Sequence, residues 1–313
     1  MRYIDAGGRR MSAFTLGTVQ LGMDYGLGAD RAKPSEEKAF AVLDRAMESG
    51  VDNLDTANNY GDSEKVIGRW LQQRREKGLP LPQITTKIGP FDHASPEALR
   101  ADMLRQTERS LKTLGIDAFD CLMLHNYGDF SSNPDETCRF LQKMKAEGIA
   151  RRIAVSVYAD DDYRLVARSG FDAVQIPQNV FDWRQIESGG IEALQKAGML
   201  IFVRSVFLQG LVFHTPETLP DRLSFAAPYL QRYLDLCAAF GLSPAVLALS
   251  FVLSLPGVTT AVMGCDNAEQ VSQNAALFDQ TVTLTPSQME ALREAFADID
   301  PRVPDPRIWS RGQ

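Results

Sequence analysis

Short apolar runs alternate along this chain with longer stretches in which apolar residues recur every three or four positions. FTLGTV (14–19) reads as a buried strand, and residues 35–49 follow with Phe40, Leu43 and Met47 on one helical face. NLDTA (53–57) is the second run, after which Val66, Ile67, Trp70 and Leu71 share one side of a helix. ITTKI (84–88) is the third, and Pro96 opens a long helix that Gly115 stops after about Leu114. The alternation continues through FDCLMLH (119–125) with a helix near 135–147 and IAVSV (153–157) with one near 161–168. AVQIP (173–177) precedes a helix at 185–197, and LIFVRS (200–205) is the seventh run. An insertion comes next, then helices near 228–240 and 244–254. The eighth run, TTAVMG (259–264), is followed by a helix from about 267, another at 286–297 and a Pro-rich tail at 300–313.

Eight strands, each followed by a helix, predict an α/β fold of the (β/α)8 TIM-barrel type that takes up residues 1–313 as one domain. The N-terminal RYI-DAGG-RRMSAF predicts a β-hairpin around Gly7 and Gly8 that closes the bottom of the barrel, and the segments after 264 add extra C-terminal helices. A doubly wound open sheet is the alternative, but its G-x-G-x-x-G fingerprint is absent.

Composition narrows the function classes. The chain has 313 residues, 44% of them apolar, which is enough for a large core. A net charge of −7 speaks against general attraction to nucleic acid or anionic lipid. No apolar run reaches membrane-spanning length, and MRYIDAGGRR has no secretory h-region. A cytoplasmic address and a small-molecule partner are therefore expected. Cys121, Cys138, Cys237 and Cys265 make no C-x-x-C pair, and His93, His125 and His214 make no H-x-H, so reduced thiols and no metal site are expected.

In such a barrel the chemistry belongs at the C-terminal strand ends. Asp55 stands near the end of the second run, Lys87 at the end of the third and His125 at the end of the fourth, with Tyr60 on the loop after the second. Neighbouring strands lie about 4.8 Å apart, so these side chains can converge. A phenol is a poor acid at neutral pH, an ammonium beside it favours the phenolate, and a carboxylate keeps that ammonium charged when buried. A neutral imidazole can orient a carbonyl oxygen. The set can protonate a carbonyl oxygen while a nicotinamide delivers hydride to the carbon.

DTANNYGDSEKVIG (55–68), TTK (85–87) and LMLHN (122–126) resemble the aldo-keto reductase superfamily, as do LGTVQLG (16–22), VQIPQNVFD (174–182), RSVFLQGLV (204–212) and MGCDNAEQVSQN (263–274). The resemblance covers essentially the whole chain. It implies a catalytic tetrad of Asp55, Tyr60, Lys87 and His125 and reversible reduction of an aldehyde or ketone. The implied cofactor is an extended NADP(H) held without a Rossmann fold. Thr18, Ser156 and Gln175 fall where the nicotinamide end is held. Arg204, Ser205, Phe207, Leu208, Gln209 and Gly210 would line the nicotinamide and pyrophosphate. Gly264, Asp266, Asn267, Gln270 and Asn274 would hold the adenosine. Family members often carry Lys or Arg there for the 2′-phosphate, whereas this chain offers Asp266, so NAD(H) use is expected to be possible, with Arg204 as a compensating cation. Substrate contacts are expected from Tyr25, Asn126, Tyr127, Trp183 and Trp309, with Phe181 and Phe213 as further candidates. Val19 or Gln20 replaces a family tryptophan, which favours a sugar-like or hydroxylated carbonyl. A cofactor-binding regulatory subunit of the potassium-channel β type with residual turnover is the alternative; a barrel isomerase without hydride chemistry is a third reading.

Overall fold

The computed structural model describes residues 1–25, 32–92 and 95–309. His93 and the last four residues of the Pro-rich tail, 310–313, lie outside the described residues. Two short strands, β1 (Tyr3–Asp5) and β2 (Arg10–Ser12), pair antiparallel as the hairpin. Eight parallel strands follow: β3 (Phe14–Gly17), β4 (Asn53–Asp55), β5 (Gln83–Ile88), β6 (Cys121–Leu124), β7 (Ile153–Ser156), β8 (Ala173–Pro177), β9 (Leu200–Arg204) and β10 (Val258–Gly264). They neighbour one another in chain order, and β10 pairs back onto β3, so the barrel is closed. Closure leaves no sheet edge exposed.

Sequence explains why helices surround it. Ser95 accepts a hydrogen bond from the Ala98 amide (3.1 Å) to cap Pro96–Leu114, and Gly115 ends that helix at φ +64°. Thr285 and Gln288 form a reciprocal capping box at Pro286–Ala295. Among the described residues no single helix is long and apolar enough to cross a membrane. Asp221–Phe240 and Pro244–Ser254 together have the length, but the pair bends by 85°, and Leu230, Tyr233 and Val246–Val252 are buried in the core.

The hairpin seals the N-terminal mouth. Ala6 and Met11 pack with Cys121, Met123, Ala154, Ala173 and Phe202, which fill the barrel interior. The side chain of Gln83, the first residue of β5, donates to the Arg10 carbonyl (2.8 Å), and the Arg152 guanidinium donates to the carbonyl of Ala6. Part of the interior is polar: Thr15 contacts Thr260 (2.8 Å) and Asn53, and Asn53 Nδ2 donates to Ser12 Oγ (2.9 Å).

Four segments depart from the sequence reading, the first being the helix expected at 185–197, which is two helices, Arg184–Glu187 and Gly190–Lys196, on either side of Gly189 at φ +75°. The run 14–19 stops as a strand at Gly17, and Val19–Gly22 is a helical turn. Thr18 turns the chain there because both its amide (3.0 Å) and its hydroxyl (2.9 Å) donate to the Asp55 carbonyl. Tyr127–Ser132 is a short helix after His125. The insertion after β9 holds two 3-10 segments, Leu208–Phe213 and Asp221–Ala226.

Candidate active site

Asp55 is the last residue of β4, and its carboxylate is buried. The chain beyond it is held along β5: the Thr56 amide donates to Thr85 O (2.9 Å) and the Asn58 amide to Lys87 O (3.0 Å). Gly22 fixes the turn that carries Tyr60. A Cβ there would lie 1.8 Å from the Tyr60 carbonyl oxygen and 2.4 Å from the Ser63 nitrogen. Gly61 adopts φ +55° beside it, and the Asp62 amide donates to Gly22 O (3.0 Å). The close backbone approach explains how a tyrosine in a polar loop is placed over the barrel mouth.

Lys87, on β5, is 1% exposed. Its ammonium donates to Asp55 Oδ1, to Thr56 O (3.3 Å) and to the Tyr60 hydroxyl oxygen (3.5 Å). Burial opposes its charge, but Asp55 and Tyr60 outweigh that and hold the amine above the usual lysine range. The second oxygen of Asp55 accepts from Gln175 Nε2 (2.8 Å), so the carboxylate is satisfied on both sides. His125 follows β6, its amide anchored on Ile88 O (2.9 Å). Its ring meets Tyr60 edge-on, centroids 5.5 Å apart at 80°. Burial, with the Lys87 and Arg204 charges, pushes its pKa down to about 3, so the imidazole is neutral at ordinary pH. Its Nδ1 is buried with no hydrogen-bond partner among the described residues.

A cleft of about 680 Å³ opens over this group. Thr18, Gln175, Ser205, Phe207, Gln209 and Gly210 line it, as do Gly264, Asp266, Gln270 and Asn274. Arg204 lines it too, whereas the other residues singled out for the cofactor, Ser156, Leu208 and Asn267, do not. Ser156 is buried beside Gln175 in the β7–β8 register, and Leu208 turns into the core. Asn267 instead caps the helix Ala268–Leu277, accepting from the Gln270 amide (2.9 Å). Ser205, Leu208 and Gln209 hold φ of +64°, +47° and +53°, so this wall stores backbone strain of about 1–3 kcal/mol at each. Among the described residues the cations of the cleft wall are Arg184, Arg204 and Arg307, and no lysine lines it.

The substrate candidates divide more sharply. Tyr25 and Phe213 line the cleft. Trp183 and Trp309 do not. Each is buried, with its indole N–H donated to a backbone carbonyl, Val180 (3.0 Å) and Arg302 (2.7 Å) respectively. A satisfied indole packed in the core is a structural anchor. Phe181 packs against Tyr233 and Phe296, Tyr127 against Phe130, and Asn126 donates to Asp129 (3.2 Å). The sequence reading missed Tyr158, Arg184, Asp305 and Arg307, which also line the cleft. Tyr158 lies two residues beyond the end of β7, a position that could have flagged it. Arg184 and the tail residues gave no such signal. Among the described residues no cluster of three His, Cys, Asp or Glu could hold a metal ion.

The model of the aldo/keto reductase family matches residues 13–297. The chain is 26% identical over 296 residues to the uncharacterized oxidoreductase YqkF of Bacillus subtilis (strain 168), covering 89% of this chain and 94% of that protein. It is 26% identical over 324 residues to an NADH-specific methylglyoxal reductase of Escherichia coli (strain K12), covering 89% and 96%. Among solved structures, the aldo-keto reductase AKR11C1 from Bacillus halodurans (holo form) superposes with a TM-score of 0.74 at 22% identity, over 94% of this chain and 96% of that one. That last likeness shows the fold.

Proposed function

The chain belongs to the aldo/keto reductase family, a family of NAD(P)-dependent oxidoreductases, and on that premise we propose that it reversibly reduces an aldehyde or ketone with Tyr60 as proton donor. One observation carries the reading. The Tyr60 hydroxyl lies 3.5 Å from a lysine ammonium that is buried and held charged by Asp55. An ammonium at that distance stabilises the phenolate left when the proton departs, so it lowers the cost of giving the proton up. A reduced nicotinamide, when bound, supplies hydride to the carbonyl carbon. Tyr60 gives its proton to the carbonyl oxygen, and Lys87 stabilises the phenolate that remains. His125, neutral, is placed to donate a hydrogen bond that orients that oxygen. In the reverse direction the phenolate takes the proton back from the alcohol.

The cleft residues fit an extended dinucleotide. Gly264 lets the Gln20 side chain lie against the cleft wall, 2.1 Å from where a Cβ would stand, and the buried Oε1 of Gln20 has no partner among the described residues. Amide and carboxylate side chains at Asp266, Gln270 and Asn274 suit the adenosine end. A carboxylate repels a 2′-phosphate and accepts from ribose hydroxyls, so NADH is read as a usable cofactor beside NADPH. The NADH specificity in the name of the Escherichia coli relative agrees with that reading. The KM values for both nucleotides, with Asp266→Ser alongside, test it; strict NADPH use by both proteins removes it. Gln20 and Tyr25 in the wall favour a hydroxylated carbonyl over a plain aromatic one.

Tyr60→Phe tests the central assignment. Reduction is expected to be nearly abolished, with the Kd for the nucleotide preserved, because only the proton donor is removed. Unchanged turnover refutes it.

A further inference from the structure

Three guanidinium groups stand in the cleft wall: Arg184, Arg204 and Arg307. Two are neutralised within the protein. Arg184 grips Asp182 through Nε (2.9 Å) and Nη2 (2.6 Å), and Arg307 grips Asp305 (2.6 and 2.8 Å) and Asp160 (2.9 Å). Arg204 has no carboxylate within ion-pair distance among the described residues. Asp161, near enough to sense its charge, spends an oxygen on the Tyr158 amide (2.7 Å).

The guanidinium of Arg204 is nevertheless firmly held. Nη2 donates to Val157 O (3.1 Å), Nη1 to Ser205 Oγ (3.4 Å), and the group lies over the Tyr158 ring, 4.6 Å from its centroid. Arg307 also packs on that ring (4.1 Å). A guanidinium has five N–H donors, and these contacts use two. A half-buried charge with open donors and no counter-ion is costly unless something anionic completes it.

The direction of the side chain identifies what completes it. Arg204 ends β9, but its guanidinium reaches the loop after β7, away from β10 and the Asp266 end of the cleft. A dinucleotide running from the tetrad to Asp266 would leave in the other direction. The side it faces is closed by Tyr158 and Arg307, and its charge is felt at His125.

The geometry points to Arg204 as the anchor for an anionic group on the substrate, so that the reductase takes a carbonyl compound carrying a carboxylate or a phosphate. This rests on the reductase reading above. A planar fork of donors fits either anion through paired hydrogen bonds.

The test compares kcat/KM for matched pairs in the full-length enzyme with saturating NADH or NADPH: succinic semialdehyde against butanal for a carboxylate, glyceraldehyde 3-phosphate against glyceraldehyde for a phosphate. The wild-type protein is expected to favour the anionic member of one pair by at least about tenfold, the scale of a hydrogen bond between charged groups. The pair that shows it identifies the anion. In Arg204→Met that ratio is expected to fall about tenfold or more, with Arg204→Lys in between; if the Met variant does not fold, the Lys variant reads the same ratio. An anionic-to-neutral ratio that is flat in the wild type, or unmoved by substitution, overturns the inference. A nucleotide Kd weakened as much as the ratio overturns it too, by assigning Arg204 to the cofactor. No turnover of any of the four compounds with either nucleotide overturns the reductase reading itself, an outcome distinct from turnover of the neutral members alone.

Discussion

Replacing Lys87 by Met separates what the buried charge does for the fold from what it does for the reaction. The methionine fills a similar volume, so the loss is electrostatic. Asp55 would remain at 3% exposure with only Gln175 still donating to it. Breaking a buried pair by removing one partner costs about 3–5 kcal/mol, and the surviving Gln175 bond favours the lower end. The reaction loses something else. At 3.5 Å an ammonium and a phenolate attract by about 5 kcal/mol at an effective dielectric of ~20. If half of that is felt in the transition state, kcat falls roughly a hundredfold. The double variant Lys87→Met/Asp55→Asn removes the stranded carboxylate, and is expected to regain most of the stability and none of the rate. Urea unfolding gives the first quantity, and the loss of reduced-nicotinamide absorbance under saturating substrate gives the second. A single variant as stable as the wild type, or one that keeps its rate within threefold, refutes the reasoning.

Other outcomes follow from neighbouring features. The His125 ring signal in an NMR titration is expected to shift near pH 3 rather than 6.5, so activity should show no inflection from this residue between pH 5 and 8; a midpoint near 6.5 contradicts the burial of the ring. Lys87 is held above its unfolded value, so its contribution to stability is complete below about pH 10 and is lost only as pH rises through the raised pKa, read as alkaline unfolding that Lys87→Met/Asp55→Asn no longer shows. Gly22→Ala forces a methyl against the Tyr60 carbonyl and the Ser63 amide, and is expected to destabilise the protein by about 3 kcal/mol and displace the phenol, measured by melting and by turnover. Gly264→Ala meets only the end of the Gln20 side chain, so its melting temperature should hold while nucleotide Kd rises, and Gln20→Ala should restore it.

Strand positions were readable because each buried run has one face for the barrel interior and one for the helices, and the two must alternate. Asp55 and Lys87 could be placed near one another because each sits at or close to the end of a strand of a barrel with parallel neighbours. The turn at Thr18 was not readable. FTLGTV has the composition of a six-residue strand, and what ends it at Gly17 is a pair of hydrogen bonds to Asp55, 37 residues away. The helix Tyr127–Ser132 lacks apolar periodicity of its own; Phe130 packs on Phe171 and Tyr127 on Phe130. Trp183 and Trp309 looked like pocket aromatics because both fall in loop or tail sequence. Only the partner carbonyls of Val180 and Arg302 show that their polar edges are spent inside the protein. Arg307 and Asp305 reach the cleft from the far end of the chain, a juxtaposition that no local pattern encodes.

The plug formed by Ala6 and Met11 has a kinetic corollary. A vessel with a sealed floor has one doorway. In the proposed reaction the nicotinamide and the carbonyl compound would share that doorway, so the one that settles deeper is expected to arrive first and depart last. Traffic order would thereby be written into a ten-residue hairpin at the opposite pole from the chemistry.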